Sequence, residues 1–131
     1  MAARPNGLCA SALAIACTAA FAGDLTTRDG VFTAGQAERG KQVYDEFCSS
    51  CHQVDYYETK LAAWQDASVG ELFAALSATM PSANPGGLTS AEYLDVLAYI
   101  FSITGSPAGS DELSLRNMDA VRIVSPAADA P

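Results

Sequence analysis

Two cysteines and a histidine lie within five consecutive residues, Cys48-Ser49-Ser50-Cys51-His52. The C-x-x-C-H pattern is typical of the attachment site of a c-type haem. Two thiols at this spacing reach the two vinyl groups of the porphyrin and become thioethers, and the next residue is then held beneath the iron. We therefore predict one covalent haem c on Cys48 and Cys51, with His52 as an axial ligand. Such a group performs one-electron chemistry at its iron.

Two other uses of closely spaced cysteines are less consistent with the rest of the chain. A thioredoxin-like C-x-x-C site needs a βαβ setting, and sequence with the period of a strand is almost absent around residues 48–52. A structural zinc site needs four ligands. Beyond residue 22 the chain has two cysteines and one histidine, which is too few.

A sixth ligand for the iron has to come from elsewhere in the chain. Met80 precedes Pro81 in a loop rich in proline and glycine, 28 residues after His52, and such a loop can wrap around the edge of a haem. Met118 lies in the polar C-terminal segment. A tyrosine, a lysine or an open site are the remaining alternatives.

Capping boxes of the type S/T-x-x-E/Q begin helices at Thr33, Ser68 and Thr89. The predicted helices span about 33–50, 68–80 and 89–104. One or two further helical turns are predicted at 60–64, within an otherwise irregular aromatic segment, 53–67. Essentially no sheet is expected, so the sequence predicts an all-α fold of three or four helices.

Three aromatic residues, Tyr56, Tyr57 and Trp64, lie between the cysteine motif and the second capping box. An indole N–H or a phenol O–H can meet a haem propionate while its ring packs in the pocket. We expect one of the three to make this contact, Trp64 before the others. The alternative is general core packing.

The two ends of the chain differ from its middle. Residues 1–22 have the features of a cleaved secretory signal, with Arg4, an apolar run and Ala20-Phe21-Ala22 as the cleavage site, so Gly23 should begin the mature protein. A retained anchor is the alternative, although the run is shorter than the ~20 residues of a bilayer span. Cys17 only faintly suggests a lipoprotein signal. Residues 23–32 are expected to be a flexible lead-in, and 110–131 a tail along the surface.

The chain is acidic, with a formal net charge of −8. This balance argues against binding to nucleic acid or to anionic membrane surfaces and favours a neutral or basic protein partner, unless it only confers solubility. Beyond the leader, no apolar run is long enough for membrane insertion. Export would place the mature protein in an oxidising compartment, the periplasm.

Residues 33–109 resemble a class I cytochrome c, in which a haem motif ends the first helix, a Met lies in a Pro-bounded loop and an apolar helix follows. The loop Asn84-Pro85-Gly86-Gly87-Leu88 and the helix Glu92–Ile100 after it are similar to small cytochromes and cytochrome domains that serve bacterial PQQ-dependent dehydrogenases. The resemblance implies a small all-α fold around one haem, with Met80 as the sixth ligand. It also implies that Gly40 and Tyr44 of the first helix pack against Tyr99 of the last.

The same resemblance implies an electron carrier rather than an enzyme, because ligation by His and Met saturates the iron. The expected donor is a PQQ-type dehydrogenase, and the expected acceptor is an oxidase or another cytochrome. An open sixth site would instead indicate a gas-binding or sensing module, or a peroxidase-like enzyme. The chain departs from the family in having Gln53 where glycine is common. It also has no proline between His52 and Met80 to accept the proton of the histidine ring.

Overall fold

The computed structural model describes residues 24–125. The predicted signal segment, with Cys17 and the cleavage site before Gly23, lies outside the described residues. None of the helices within 24–125 is long and apolar enough to cross a bilayer. The secondary structure elements are, in order, β1 (Leu25–Thr26), α1 (Ala34–Phe47), α2 (Asp55–Lys60), a 3-10 helix (Leu61–Trp64), α3 (Val69–Thr79), α4 (Ser90–Ile103), a second 3-10 helix (Met118–Ala120) and β2 (Val121–Arg122).

This architecture confirms the predicted all-α fold of a small cytochrome c, and two of its helices begin at capping boxes that form as predicted. The Ser68 hydroxyl accepts a hydrogen bond from the Glu71 N–H at 3.1 Å, and the Glu71 carboxylate accepts one from the Ser68 N–H at 2.7 Å. Thr89 and Glu92 repeat the pattern at the start of α4, with distances of 3.2 and 2.7 Å. These bonds to the charged carboxylates hold the pKa values of Glu71 and Glu92 below their usual range.

The capping box predicted at Thr33 forms only in part. Thr33 caps α1 by accepting from the Gln36 N–H at 3.0 Å. The Gln36 side chain, however, is buried and turned to a distant partner. Its amide nitrogen donates to the carbonyl of Leu113 at 2.8 Å, and its amide oxygen accepts from the Leu113 N–H at 2.9 Å. The reciprocal half of the predicted box is therefore wrong, because Gln36 joins α1 to the C-terminal segment instead.

Around the cysteine motif, the first helix is shorter than predicted and the segment that follows the motif is more regular than predicted. Helix α1 ends at Phe47 rather than near residue 50. The predicted irregular segment 53–67 contains α2 and the first 3-10 helix. Asp55 and Glu58 stand in the first turn of α2 and Lys60 in its last, which complements the helix dipole.

The two ends of the described chain pack onto the core as one unit, which we call the terminal strap (residues 24–32 and 110–125). β1 and β2 pair in parallel, with Leu25 opposite Val121. Both halves contribute to the core through a set of buried apolar side chains: Val31, Phe32, Leu113, Val121 and Ile123. Burial of these side chains packs residues 24–32 against the core, where a flexible lead-in was predicted. Residues 110–125 lie largely at the surface and are anchored to the core by Leu113, Val121 and Ile123.

Helices α1 and α4 form the largest interface between elements. A Cβ atom placed on Gly40 would lie 1.8 Å from the carbonyl oxygen of Asp95 and 3.0 Å from the Cβ of Tyr99. Only glycine permits such an approach of two backbones. Next to it, the rings of Tyr44 and Tyr99 lie 5.1 Å apart between centroids. The predicted contact of Gly40 and Tyr44 with Tyr99 is confirmed.

Replacing Gln36 by Ala should destabilise the fold through the strap. The variant leaves the buried N–H and carbonyl of Leu113 without their partner, which is expected to lower the free energy of unfolding by roughly 2 kcal/mol or more. Urea unfolding measures this. Gln42→Ala, the same change at an exposed position of α1, should stay within about 0.5 kcal/mol of wild type. Equal stability of the two variants would show that Gln36 does not hold the strap.

Candidate functional site

One cavity brings together the cysteine motif, Met80 and the three aromatic residues that the sequence suggested for the site. It is lined by the motif and its predicted partners: Cys48, Cys51, His52, Tyr56, Tyr57, Trp64 and Met80. The opposite wall is apolar and comes from α3 and α4: Leu72, Ala75, Leu76, Val96, Leu97 and Ile100. The cavity has a volume of about 260 Å³ and is partly open to solvent, with exposed residues such as Cys51 in its lining. This shape suits a group that enters through the open side and leaves one edge outside.

The cysteine motif forms a tight turn directly after α1. The N–H groups of Cys51 and His52 both donate to the Cys48 carbonyl, at 3.2 and 2.9 Å. The phenol of buried Tyr44 donates to the His52 carbonyl from the preceding helix. This turn presents both thiols and the imidazole to one cavity, with Cys48 half-buried and Cys51 exposed.

The state of the thiols does not match the other two uses considered for the motif. They are not joined in a disulfide, and burial raises the pKa of the Cys48 thiol. A reactive dithiol site requires the opposite shift, since the thiolate is the attacking form. Within residues 24–125, no group of three or more His, Cys, Asp and Glu side chains is placed to hold a metal ion, so the geometry offers no zinc site.

The imidazole of His52 packs in an aromatic cluster. Its ring centroid lies 4.7 Å from that of Tyr56 and 6.2 Å from that of Tyr57, and Tyr57 meets Tyr44 edge-on at 5.9 Å. Burial is the main cause that raises the pKa values of Tyr44 and Tyr57, so both phenols stay protonated and remain donors. Tyr56 therefore lies against the predicted ligand, with the ammonium of Lys60 5.3 Å from its ring centre.

Met80 lies where α3 ends. Its N–H donates to the carbonyl of Leu76 at 2.8 Å, which closes the helix, and its own carbonyl accepts from the phenol of Tyr93 at 2.6 Å. The side chain is half-buried and lines the cavity. Met118, the other methionine considered as a ligand, packs against the hydrophobic core instead.

Sequence reasoning missed Tyr93 as a residue that contributes to the site. The residue is buried, and its phenol reaches the loop that carries Met80. A tyrosine at a core position of a helix needs a partner for its O–H. That rule, applied to Tyr93, is the signal that could have indicated a bond to the neighbouring loop.

The donor set fits a c-type haem. Cys48 and Cys51 supply the thiols for two thioether bonds, His52 an imidazole nitrogen and Met80 a thioether sulfur, and the walls between them are apolar. Cys48 and Cys51 would hold the macrocycle, and His52 and Met80 would hold its iron. Trp64, Tyr56 and Tyr57 border the same cavity, and the contact of one of them with a propionate stays a prediction.

Comparison with known families agrees with this interpretation of the donor set. A family model described as cytochrome C oxidase, cbb3-type, subunit III matches residues 35–100, which is half of the chain. The match begins in α1 and ends in α4, so it includes the cysteine motif and Met80. No curated protein and no solved structure shows a significant match.

Thioether bonds survive unfolding, so the wild-type protein should keep its haem through acid–acetone extraction. The double variant Cys48→Ser, Cys51→Ser should release all of it, because a hydroxyl does not form the bond. Absorbance of the extracted and precipitated fractions measures the distribution. Either single variant should retain haem through its remaining cysteine. Free extraction of haem from the wild type would contradict covalent attachment.

Proposed function

This chain belongs to the cytochrome c family of the cbb3-type oxidase subunit III model, whose domains bind haem c and transfer electrons, and from that premise we propose that it is a periplasmic electron carrier with His/Met ligation. The observation that carries the proposal is the position of His52 and Met80 on the same cavity as the two thiols. If both side chains hold the iron, they would leave no iron position for a substrate, which is typical of a carrier rather than of an enzyme.

A bound haem c supplies one-electron exchange at its iron. The chain's own residues determine how readily that exchange occurs. The thioether of Met80 would favour ferrous iron, and the apolar side chains of α3 and α4 would keep water from their side of the group, which would also disfavour the more charged ferric state. Exposed Cys51 marks the edge of the cavity that a partner can approach.

We propose a PQQ-dependent dehydrogenase as electron donor and an oxidase or a second cytochrome as acceptor. The donor is supported by the similarity of the loop at 84–88 and of helix α4 to cytochromes that serve such enzymes. The acceptor is supported by the matched family model, which describes an oxidase subunit. Reduction of the oxidised protein by a purified quinoprotein dehydrogenase tests the donor. Osmotic-shock fractionation and the N-terminal sequence of the purified protein test the periplasmic location.

The Met80→Ala variant distinguishes a carrier from a gas-binding module or a peroxidase-like enzyme. Loss of the sulfur should lower the reduction potential, abolish the weak far-red band of methionine-bound ferric iron and let carbon monoxide bind the reduced protein. Absorption spectra and a redox titration measure all three. Met118→Ala, which changes the methionine packed on the core, should leave the far-red band intact. Carbon monoxide binding by the wild type would instead favour an open site.

We propose that the partner docks with a basic surface on the side of the site that carries α2. A second, more open cavity shares His52 with the first and is bordered by Asp45, Asp55 and Glu58. Carboxylates grouped around this second cavity, none of which lines the first cavity, attract a cationic partner toward the site and raise its rate of encounter. Exposed Val54, next to them, offers the apolar surface that short-lived contacts also need.

Glu58→Lys should slow electron exchange with a cationic reductant, hexaammineruthenium(II), by up to about tenfold and accelerate oxidation by anionic ferricyanide. Stopped-flow rates at about 0.15 M ionic strength measure this, where the Debye length is about 8 Å. Glu38→Lys is the matched control. Glu38 lies seven residues before Asp45 on α1, roughly 10 Å along the helix, so its charge should be largely screened. Equal effects of the two changes would indicate that only net charge matters.

A further inference from the structure

Two buried phenols hold the backbone of the two proposed iron ligands. Tyr44 of α1 donates to the carbonyl of His52, and Tyr93 of α4 donates to the carbonyl of Met80. Both tyrosines are nearly inaccessible, with 2% and 3% of their surface exposed. Because α1 and α4 pack directly against each other, the two ligands are tied to one rigid pair of helices.

The backbone of Met80 has one anchor besides this phenol bond. The Met80 N–H is bonded to Leu76 of α3, so the residue is fixed on its N-terminal side. On its C-terminal side comes Pro81, which has no N–H to donate. The next backbone bond in the loop joins the Asn84 N–H to the Pro81 carbonyl and stays within the loop. The phenol of Tyr93 is thus the bond that attaches the carbonyl side of Met80 to a helix.

The ring of Tyr93 is itself held in place. It lies edge-on to the ring of Phe73 on α3, with 6.0 Å between centroids. Its phenol therefore bridges the end of α3 and the first turns of α4, the two elements on either side of the Met80 loop. A donor fixed by packing on both sides has little freedom to follow a moving loop, so it opposes displacement of Met80.

We infer that Tyr93 is a positioning residue for Met80, which holds the methionine sulfur against the iron and slows its replacement by other ligands. This inference rests on the proposed His/Met ligation. Tyr93 would then prolong the time that Met80 stays bound to the iron, in addition to donating a hydrogen bond to the Met80 carbonyl.

The test compares Tyr93→Phe with Tyr44→Phe in the haem-loaded protein. Each variant removes one phenol bond and keeps the ring. Binding of added imidazole to the oxidised protein requires that Met80 leave first, and its rate follows from the loss of the far-red band. Tyr93→Phe should bind imidazole about threefold to tenfold faster than wild type, the factor that corresponds to one net hydrogen bond. Tyr44→Phe frees the carbonyl of His52, the ligand that imidazole does not displace, so it should accelerate binding less than Tyr93→Phe does.

Thermal unfolding of the same variants separates positioning from a merely structural role. If both tyrosines only stabilise the fold, both variants lose stability and neither changes the imidazole rate, which would overturn the inference. Met80→Ala separates this failure from failure of the proposed ligation. A variant at Met80 that keeps the far-red band would show that the ligand itself is wrongly assigned.

Discussion

The contact of Gly40 with the backbone of Asp95 is the constraint on which the candidate site depends. It sets the distance between α1 and α4, and each helix carries one side of the site: α1 leads directly into the turn of His52, and α4 holds the Met80 loop. Beside the contact, Arg39 of α1 binds the carboxylate of Asp95 with two bonds of 3.0 and 3.1 Å. Separation of the two helices would move both proposed ligands at once.

The parts of this structure that the sequence predicts are those determined by local signals. The cysteine motif occupies five consecutive residues, and the capping boxes at Ser68 and Thr89 need only four residues each to start α3 and α4. The position of Met80 after a helix and before a proline is also local. Because these signals place their side chains relative to helix ends, packing of the helices was enough to bring the predicted site residues to one cavity.

The parts of the structure that the sequence does not predict depend on partners that are distant in the chain. Gln36 has the spacing of a capping-box residue, yet its side chain binds Leu113, 77 residues further on, because a buried amide is satisfied best by the paired N–H and carbonyl of that segment. The apolar residues of the strap are few and lie in a polar sequence, and only the short stretch 121–124 alternates. Helix α2 has no buried residue, so its sequence has no apolar face from which a helix could be predicted.

The strap lies entirely outside the residues matched by the family model, and its contacts explain what it adds to the site. Only Val69 and Gly70 of α3 are buried, since the apolar side of that helix lines the cavity, and its interface with α4 is small. The strap supports α3 at the other end: the N–H of Ile123 donates to the Ala67 carbonyl, and the Asp66 N–H donates to the Ile123 carbonyl, both at 2.9 Å. Because α3 ends at Met80, fixing its beginning also limits the movement of the proposed ligand. The strap thus fixes the position of α3, as the Gly40 contact fixes the distance between α1 and α4.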